Sequence, residues 1–313
     1  MFLPAAPPGA AGLPERPFML ITEPLSYRLA MLHDDPAAAS HVPLVLDSPH
    51  SGTSYPPDFG SIADPAALRT AEDTWVDDLW SDAVTMGVPL LAALFPRAYI
   101  DANRSAAEID SLLMDDIWPG DTVVSPKVKL GKGLIWRMLD DGTPLYDRKL
   151  SVQEVAHRIE ACWQPYHDRL GALIDAAHGR FGKVWHINCH SMPSVAGAYA
   201  TDQPGLVHPD FVLGDRDGTS GDPAFRAFVA QWLKSRGYHV TINDPYKGVE
   251  IVRSFGDPTD HRSSLQIEIN RNLYMDERTL RPTAGYVKLK HDLRDLTAAL
   301  IAWIRPQLDK PQT

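Results

Sequence analysis

The chain has 313 residues, 44% of them hydrophobic, enough to bury a substantial core as one large α/β domain or two smaller ones; a single domain with long inserted loops is the preferred reading. Lys and Arg number 30 against 40 Asp and Glu, giving a formal charge of −10, the opposite of the basic footprint that phosphate backbones select, so nucleic acid is not expected as a partner. A small anionic substrate remains compatible, because a few local arginines set the field in a pocket while distant surface carboxylates are screened within about 10 Å.

The opening segment MFLPAAPPGAAGLPERP is broken by prolines and lacks the cationic start of a signal peptide; residues 1–20 read as a mobile N-terminal arm and 21–313 as one domain. No apolar run approaches the ~20 residues of a membrane span, so no membrane partner is expected. Val42 to Asp47 reads as a buried strand ended by Ser-Pro. Asp64-Pro65 then supplies an N-cap and a first-turn proline for a helix to about Met86, with Leu68, Trp75, Leu79, Ala83 and Met86 on one face and Gly87 as its stop. Val88 to Leu94 and Arg97 to Asp101 read as two further strands.

From Asp115 to Asp147 no period holds, and the punctuation by Pro and Gly predicts a long binding loop or lid. Ser151-Val-Gln-Glu154 is a capping box opening a helix to about Arg180, and Lys183 to Cys189 is the next strand. A second loop spans 193–221. Asp222-Pro223 starts a helix to Arg236, Tyr238 to Ile242 and Ser264 to Ile269 are strands, and Ala284 to Ile304 is a closing helix. Strands alternating with helices predict an α/β sheet covered on both faces, with ligands outside the carboxyl ends of the strands.

Four such ends carry polar residues suited to catalysis: Asp47-Ser-Pro-His50, Asp101-Ala-Asn103-Arg104, Asn188-Cys189-His190-Ser191 and Glu268-Ile269-Asn270-Arg271. Strand alternation places His186, Asn188 and His190 on one face and Cys189 on the other, which makes a Cys189 and His190 nucleophile pair geometrically poor. Neither Cys189 nor Cys162 has a CxxC partner, and both fit a reducing, cytoplasmic setting. Gln266, Glu268 and Asn270 likewise share a face. A carboxylate in so apolar a strand needs a partner or a raised pKa, and either suits a general base.

A serine hydrolase is disfavoured by the absence of a GxSxG elbow. Metal-assisted hydrolysis fits better: His50, His190 and an acid to hold Zn²⁺, with Glu268 as a separate base, although HExxH and HxxEH spacings are absent. The acid lies in EDTWVDDLW, which offers Glu72, Asp73, Asp77 and Asp78; helical periodicity alone favours Glu72.

DSPHSG, the DTWVDDLW helix, YIDANR, INCHS and LQIEINRNLYMDE, in that order from about Val42 to the final helix, resemble the N-formylglutamate amidohydrolase family. The resemblance implies a three-layer α/β/α, phosphorylase/hydrolase-like fold with a mostly parallel or mixed sheet, related to zinc carboxypeptidases. It also implies hydrolysis of N-formyl-L-glutamate to formate and L-glutamate in histidine breakdown. By it His50 and His190 are metal ligands, with Asp73, from D-x₅-L-aromatic, as the third in place of Glu72, a divalent metal, Zn²⁺, as the cofactor and Glu268 as the general base and acid. Arg104 with Asn103 would bind a substrate carboxylate, and Arg253 and His261 are further matches. Arg104 and Arg253 would each pair with one carboxylate of a dianionic substrate. Arg137, on the 115–147 loop, is a further candidate to close over the pocket. Another N-acyl amino acid hydrolase or a carboxypeptidase-like enzyme would use the same metal site, and a metal-free binding protein for an acidic small molecule is the non-enzymatic alternative.

Overall fold

The structure is a computed structural model and describes residues 18–32, 42–198 and 204–308. Eight strands form one mixed sheet: β1 (Phe18–Glu23), β2 (Tyr27–Leu32), β3 (Leu44–Ser48), β4 (Leu90–Ala93), β5 (Val184–Met192), β6 (Phe211–Gly214), β7 (Val240–Ile242) and β8 (Arg262–Asn270), in the order β1-β2-β4-β3-β5-β8-β6-β7. The four central strands β4, β3, β5 and β8 run parallel, whereas β2 pairs antiparallel with β4 and β6 antiparallel with β8. The helices are α1 (Pro65–Leu68), α2 (Val76–Leu79), α3 (Pro126–Lys129), α4 (Val152–Arg158), α5 (Gln164–Phe181), α6 (Pro223–Ser235), α7 (Glu250–Phe255) and α8 (Gly285–Leu308).

The sheet's two faces hold separate cores. On one, Val45 and Leu91 pack with Tyr166, Leu170, Leu173, Ile174 and Ala177 of α5; on the other, Leu44, Leu46, Ile187, Cys189, Leu265 and Ile267 pack with Phe225 and Val229 of α6 and Leu289, Leu293, Leu296 and Leu300 of α8. This is the expected three-layer arrangement with a mixed sheet. Cys189 lies in the α6/α8 core, as alternation requires, which sends His186, Asn188 and His190 to the α5 side.

Several elements depart from the sequence reading. Strand β1 begins at Phe18, so the last residues assigned to the N-terminal arm belong to the sheet; the rest of that arm lies outside the described residues. The β1/β2 hairpin was not expected, nor was β6, which lies inside the 193–221 loop. Arg97 to Asp101 forms turns instead of a strand, with the Tyr99 amide bonded to the Pro96 carbonyl. The helix expected over 64–86 is broken after α1 and a 3₁₀ turn: Glu72 is extended and Trp75 has a left-handed backbone at φ 70°. The cause is a stitch to the turn after β3. The Asp73 amide donates to the His50 carbonyl at 3.0 Å, and the Ser51 hydroxyl donates to the Asp73 carbonyl at 3.1 Å while accepting the Asp77 amide at 3.2 Å.

That turn also explains its glycine. A Cβ on Gly52 would sit 2.2 Å from the Phe95 carbonyl oxygen, because the chain leaving His50 runs directly against the end of β4. Gly52→Ala is therefore expected to lower unfolding free energy by about 1–3 kcal/mol, the usual range for forced overpacking, as read by urea titration.

Candidate active site

The site grows from a strip of polar side chains on the α5 side of β3, β5 and β8. Asp47 of β3 is fully buried and accepts from His186 Nε2 at 2.8 Å, Asn188 Nδ2 at 2.8 Å and the Tyr166 hydroxyl at 2.7 Å. Burial alone would raise its pKa; the hydrogen bond and charge of His186, with Asn188 and Tyr166, outweigh it and hold the carboxyl below its ordinary value. An ionised carboxylate only accepts, so Asn188 must turn its NH₂ to Asp47 and its oxygen outward. That oxygen lies 2.7 Å from His190 Nε2, a shorter contact than the 3.1 Å to Asn103 Nδ2, and as an acceptor it favours the proton on Nε2 and the lone pair on Nδ1.

His50 is set in the same way from another direction. Its Nε2 donates to Asp101 Oδ1 at 2.7 Å, and its buried Nδ1 has no hydrogen-bond partner. Asp101 is held well below the usual carboxylate range: burial pushes it up, and the charges of His50, Arg97 and Arg104 push it down further.

Asp73 closes the set. Its Oδ2 lies 3.0 Å from His190 Nδ1 and 3.4 Å from His50 Nδ1, and the His50, Asp73 and His190 donor atoms all lie within 4.8 Å of one another. Its Oδ1 is taken by Arg271 Nη2 at 3.1 Å and faces Arg97 Nη1 at 3.6 Å. Two ring nitrogens and a carboxylate oxygen converge here in a buried pocket, a set that could hold a cation. Two imidazole nitrogens and one carboxylate, each fixed from behind by a hydrogen-bond partner, fit a divalent metal. The acid that joins the two histidines is Asp73; the Glu72 carboxylate turns away to the Tyr55 hydroxyl at 2.6 Å and Arg69 Nε at 3.1 Å. Because the chain is not helical at this point, periodicity misled.

Glu268 stands beside His190 in the β5/β8 register. Its Oε1 accepts from Gln266 Nε2 at 2.8 Å, and Oε2 carries no hydrogen bond among the described residues. Burial raises its pKa; the Asp73 charge adds to the rise, against His190, Arg97 and Arg271.

The remaining expected residues divide. Arg104 is buried, with Nε on the Lys132 carbonyl at 3.2 Å and Nη1 on the Asn103 carbonyl at 3.0 Å, and no carboxylate forms a salt bridge with it among the described residues. Asn103 is spent internally, accepting the Ile251 amide at 2.9 Å and placing its Nδ2 3.1 Å from His190 Nε2 and 3.4 Å from Gln266 Oε1. Arg137 binds Asp110 through Nε at 2.9 Å. Arg253 is half exposed and closed in a fork on Glu250, at 2.9 and 2.6 Å, so it does not offer a free guanidinium.

His261 is a correction of position: it precedes β8, at the amino ends of the strands, and lines a cleft of about 290 Å³ with Lys183, Trp185 and Asp222. Seven residue steps along the strand, about 23 Å, separate it from Glu268. Sequence reasoning gave no role to Arg97, Arg271, Asp47, Asp101 or Trp136. Trp136 of the long loop donates to Asp101 Oδ2 at 3.2 Å and packs under the Arg97 guanidinium, 4.9 Å from its ring centre. Three of these, Asp47, Asp101 and Arg271, stood at the strand ends that drew attention.

Asp47→Asn removes the charge and turns one of the two accepting oxygens into an NH₂ that faces a donor, and is expected to lower stability by about 2–3 kcal/mol in denaturant titration. Tyr166→Phe deletes one of the three hydrogen bonds and should lower it by about 1 kcal/mol.

Comparison with known proteins places this geometry. Residues 42–275 match the family model described as N-formylglutamate amidohydrolase. The N-formylglutamate deformylase of Pseudomonas aeruginosa is 31% identical over 276 residues, covering 84% of this chain and 94% of that protein, and its namesake in Pseudomonas putida is 28% identical over 272 residues, covering 84% and 93%. The crystal structure of N-formylglutamate amidohydrolase from Ralstonia eutropha JMP134 superposes with a TM-score of 0.85 at 45% identity, covering 90% of this chain and 99% of that one. An Agrobacterium tumefaciens gene product, 18% identical with a TM-score of 0.58 over 90% and 97% of the two chains, shares the fold. Motif order, site geometry and these likenesses agree, and the chain belongs to the N-formylglutamate amidohydrolase family.

Proposed function

We propose that this chain hydrolyses N-formyl-L-glutamate to formate and L-glutamate with a divalent metal ion, Zn²⁺ in first place, held by His50 Nδ1, Asp73 Oδ2 and His190 Nδ1. The observation that carries the reading is the convergence of those three atoms, each ring presenting Nδ1 because its Nε2 is already bonded, in a chain of this family. A divalent ion supplies Lewis-acid chemistry there, acidifying water and polarising a carbonyl oxygen.

The protein's own groups do the rest. Glu268 Oε2 takes the proton from water as its oxygen attacks the formyl carbon, and hands it to the amine nitrogen as the C–N bond breaks. A raised pKa makes the carboxylate a stronger base than one in solution. Arg104, whose carbonyl contacts fix its plane without neutralising it, offers its remaining N–H groups to the substrate α-carboxylate. Arg97 and Arg271 keep Asp73 ionised and oriented. The reading includes a cytoplasmic setting, with which two free, buried cysteines are compatible, and the place in histidine degradation that the family resemblance implies.

The test is metal analysis of the purified protein together with formate release from N-formyl-L-glutamate. The expected wild type binds one metal per chain and loses turnover to a chelator. Glu268→Gln should keep the metal and lose about 10²- to 10⁴-fold in kcat. A wild type that stays inactive after Zn²⁺ is restored contradicts the reading. Arg104→Lys, which cannot reproduce a bidentate contact, should lower kcat/KM by about 10- to 100-fold, mostly through KM.

A further inference from the structure

The segment 115–147, expected as a binding loop or lid, carries its tip inside the protein. Leu134, Ile135 and Trp136 are all buried, and the turn that presents them is closed by the Arg137 amide on the Gly131 carbonyl at 2.7 Å. The Leu134 amide donates to the Glu108 carbonyl at 2.8 Å, and the Leu134 carbonyl accepts the Asp101 amide at 2.7 Å. Two residues further on, the Trp136 indole Nε1 donates to Asp101 Oδ2 at 3.2 Å. The loop therefore holds Asp101 both by its backbone and by its carboxylate.

That carboxylate stands behind His50. Its Oδ1 accepts His50 Nε2 at 2.7 Å and the Asn103 amide at 2.9 Å, while Oδ2 accepts Arg97 Nη2 at 3.0 Å beside the indole. The same indole lies under the Arg97 guanidinium, 4.9 Å from ring centre to Cζ, and Arg97 Nη1 faces Asp73 Oδ1 at 3.6 Å. One side chain thus touches the groups behind two of the three converging donors. Its N–H meets the carboxylate that sets the His50 ring, and its face meets the guanidinium that flanks Asp73. A cation over an indole is held most firmly where water is excluded, as it largely is here, with Trp136 and Asp101 buried.

We infer that Trp136 is a positioning residue of the metal site: through Asp101 it aims His50 Nδ1, through Arg97 it keeps Asp73 in place, and docking of the loop is thereby coupled to binding of the metal ion. The inference rests on the divalent-metal reading of His50, Asp73 and His190. Partners behind a ligand fix its orientation, and losing one weakens metal binding by about 10- to 100-fold. Trp136 acts from one contact further out, which places the loss of its N–H alone at the lower end of that range. The coupling is reciprocal, so a docked loop that favours the ion is itself favoured by the ion.

The experiment measures the zinc dissociation constant of wild type, Trp136→Phe and Trp136→Leu by competition with a chelating dye, together with the melting temperatures of the metal-free and zinc-loaded forms. Trp136→Phe keeps a ring under Arg97 and loses the N–H; it should weaken zinc binding by about 10-fold, and Trp136→Leu, which loses both contacts, by more. Each variant should lose more melting temperature in the zinc-loaded form than in the metal-free form, since weaker binding to the native state raises it less. In wild type, zinc should slow hydrogen exchange at the Leu134 and Arg137 amides, which fasten the loop tip, and it should slow them less in Trp136→Phe. An unchanged dissociation constant in Trp136→Phe, with equal falls in melting temperature with and without zinc, means that Trp136 only packs and overturns the inference. Should Trp136→Leu fail to fold, Trp136→Phe alone decides. A wild type that takes up zinc, with a Trp136→Phe protein that matches its affinity, refutes the role of Trp136 and leaves the metal reading standing; a wild type that takes up none of Zn²⁺, Co²⁺ or Mn²⁺ refutes both.

Discussion

One ionised carboxylate beneath the site, Asp47, fixes the orientation of what lies above it. It can only accept, so it draws the NH₂ of Asn188 and the Nε2–H of His186 and sends the Asn188 oxygen to His190. Two residues away along β5, the consequence is a lone pair on His190 Nδ1 in place of a proton. Asp101 imposes the same choice on His50 from the turn after β4. Each imidazole is thus committed by a partner on its far side, and the free nitrogens meet at Asp73. Left unpaired, these buried acids would destabilise the fold; hydrogen-bonded to several donors each, they define it.

The fold supplies this geometry through the parallel core of the sheet. β5 and β8 run side by side in register, so the outward positions of both strands form one polar strip while the inward positions, Ile187, Cys189, Leu265 and Ile267, bury against α6 and α8. The third donor comes from outside the sheet, and the chain breaks a helix to deliver it. Extended backbone at Glu72, the left-handed Trp75 and the Ser51 hydroxyl between Asp73 and Asp77 turn Asp73 into the site. The long loop then closes one side, docking Trp136 on Asp101 and the Lys132 carbonyl on Arg104.

The parts of this that were legible in the sequence are those governed by a two-residue period. Alternation separated His186, Asn188 and His190 from Cys189, and Gln266 and Glu268 from their apolar neighbours, because strand faces are determined locally. Local caps were legible as well: the Asp64, Ser151 and Asp222 side chains accept the backbone bonds their motifs predict. Asp73 was not legible by periodicity, since the apolar spacing from Leu68 to Met86 is met equally by one helix or by short turns lying on the same core. Only a hydrogen bond to the His50 turn, 23 residues earlier, decides between them. Motif order supplied that long-range information and periodicity could not. His261 was misplaced because a short motif does not say which end of a strand it adjoins, whereas the Arg253 pairing with Glu250 lay readable three residues upstream in EIVR.

The most direct measurement of the central claim is a long-range ¹H–¹⁵N correlation spectrum of the histidine rings, recorded before and after adding equimolar Zn²⁺. The account predicts protons on Nε2 of both His50 and His190 in the zinc-loaded protein, with the metal-induced shifts confined to their Nδ1 atoms. Protons on Nδ1 with Nε2 shifted by zinc, or rings indifferent to zinc, would contradict it.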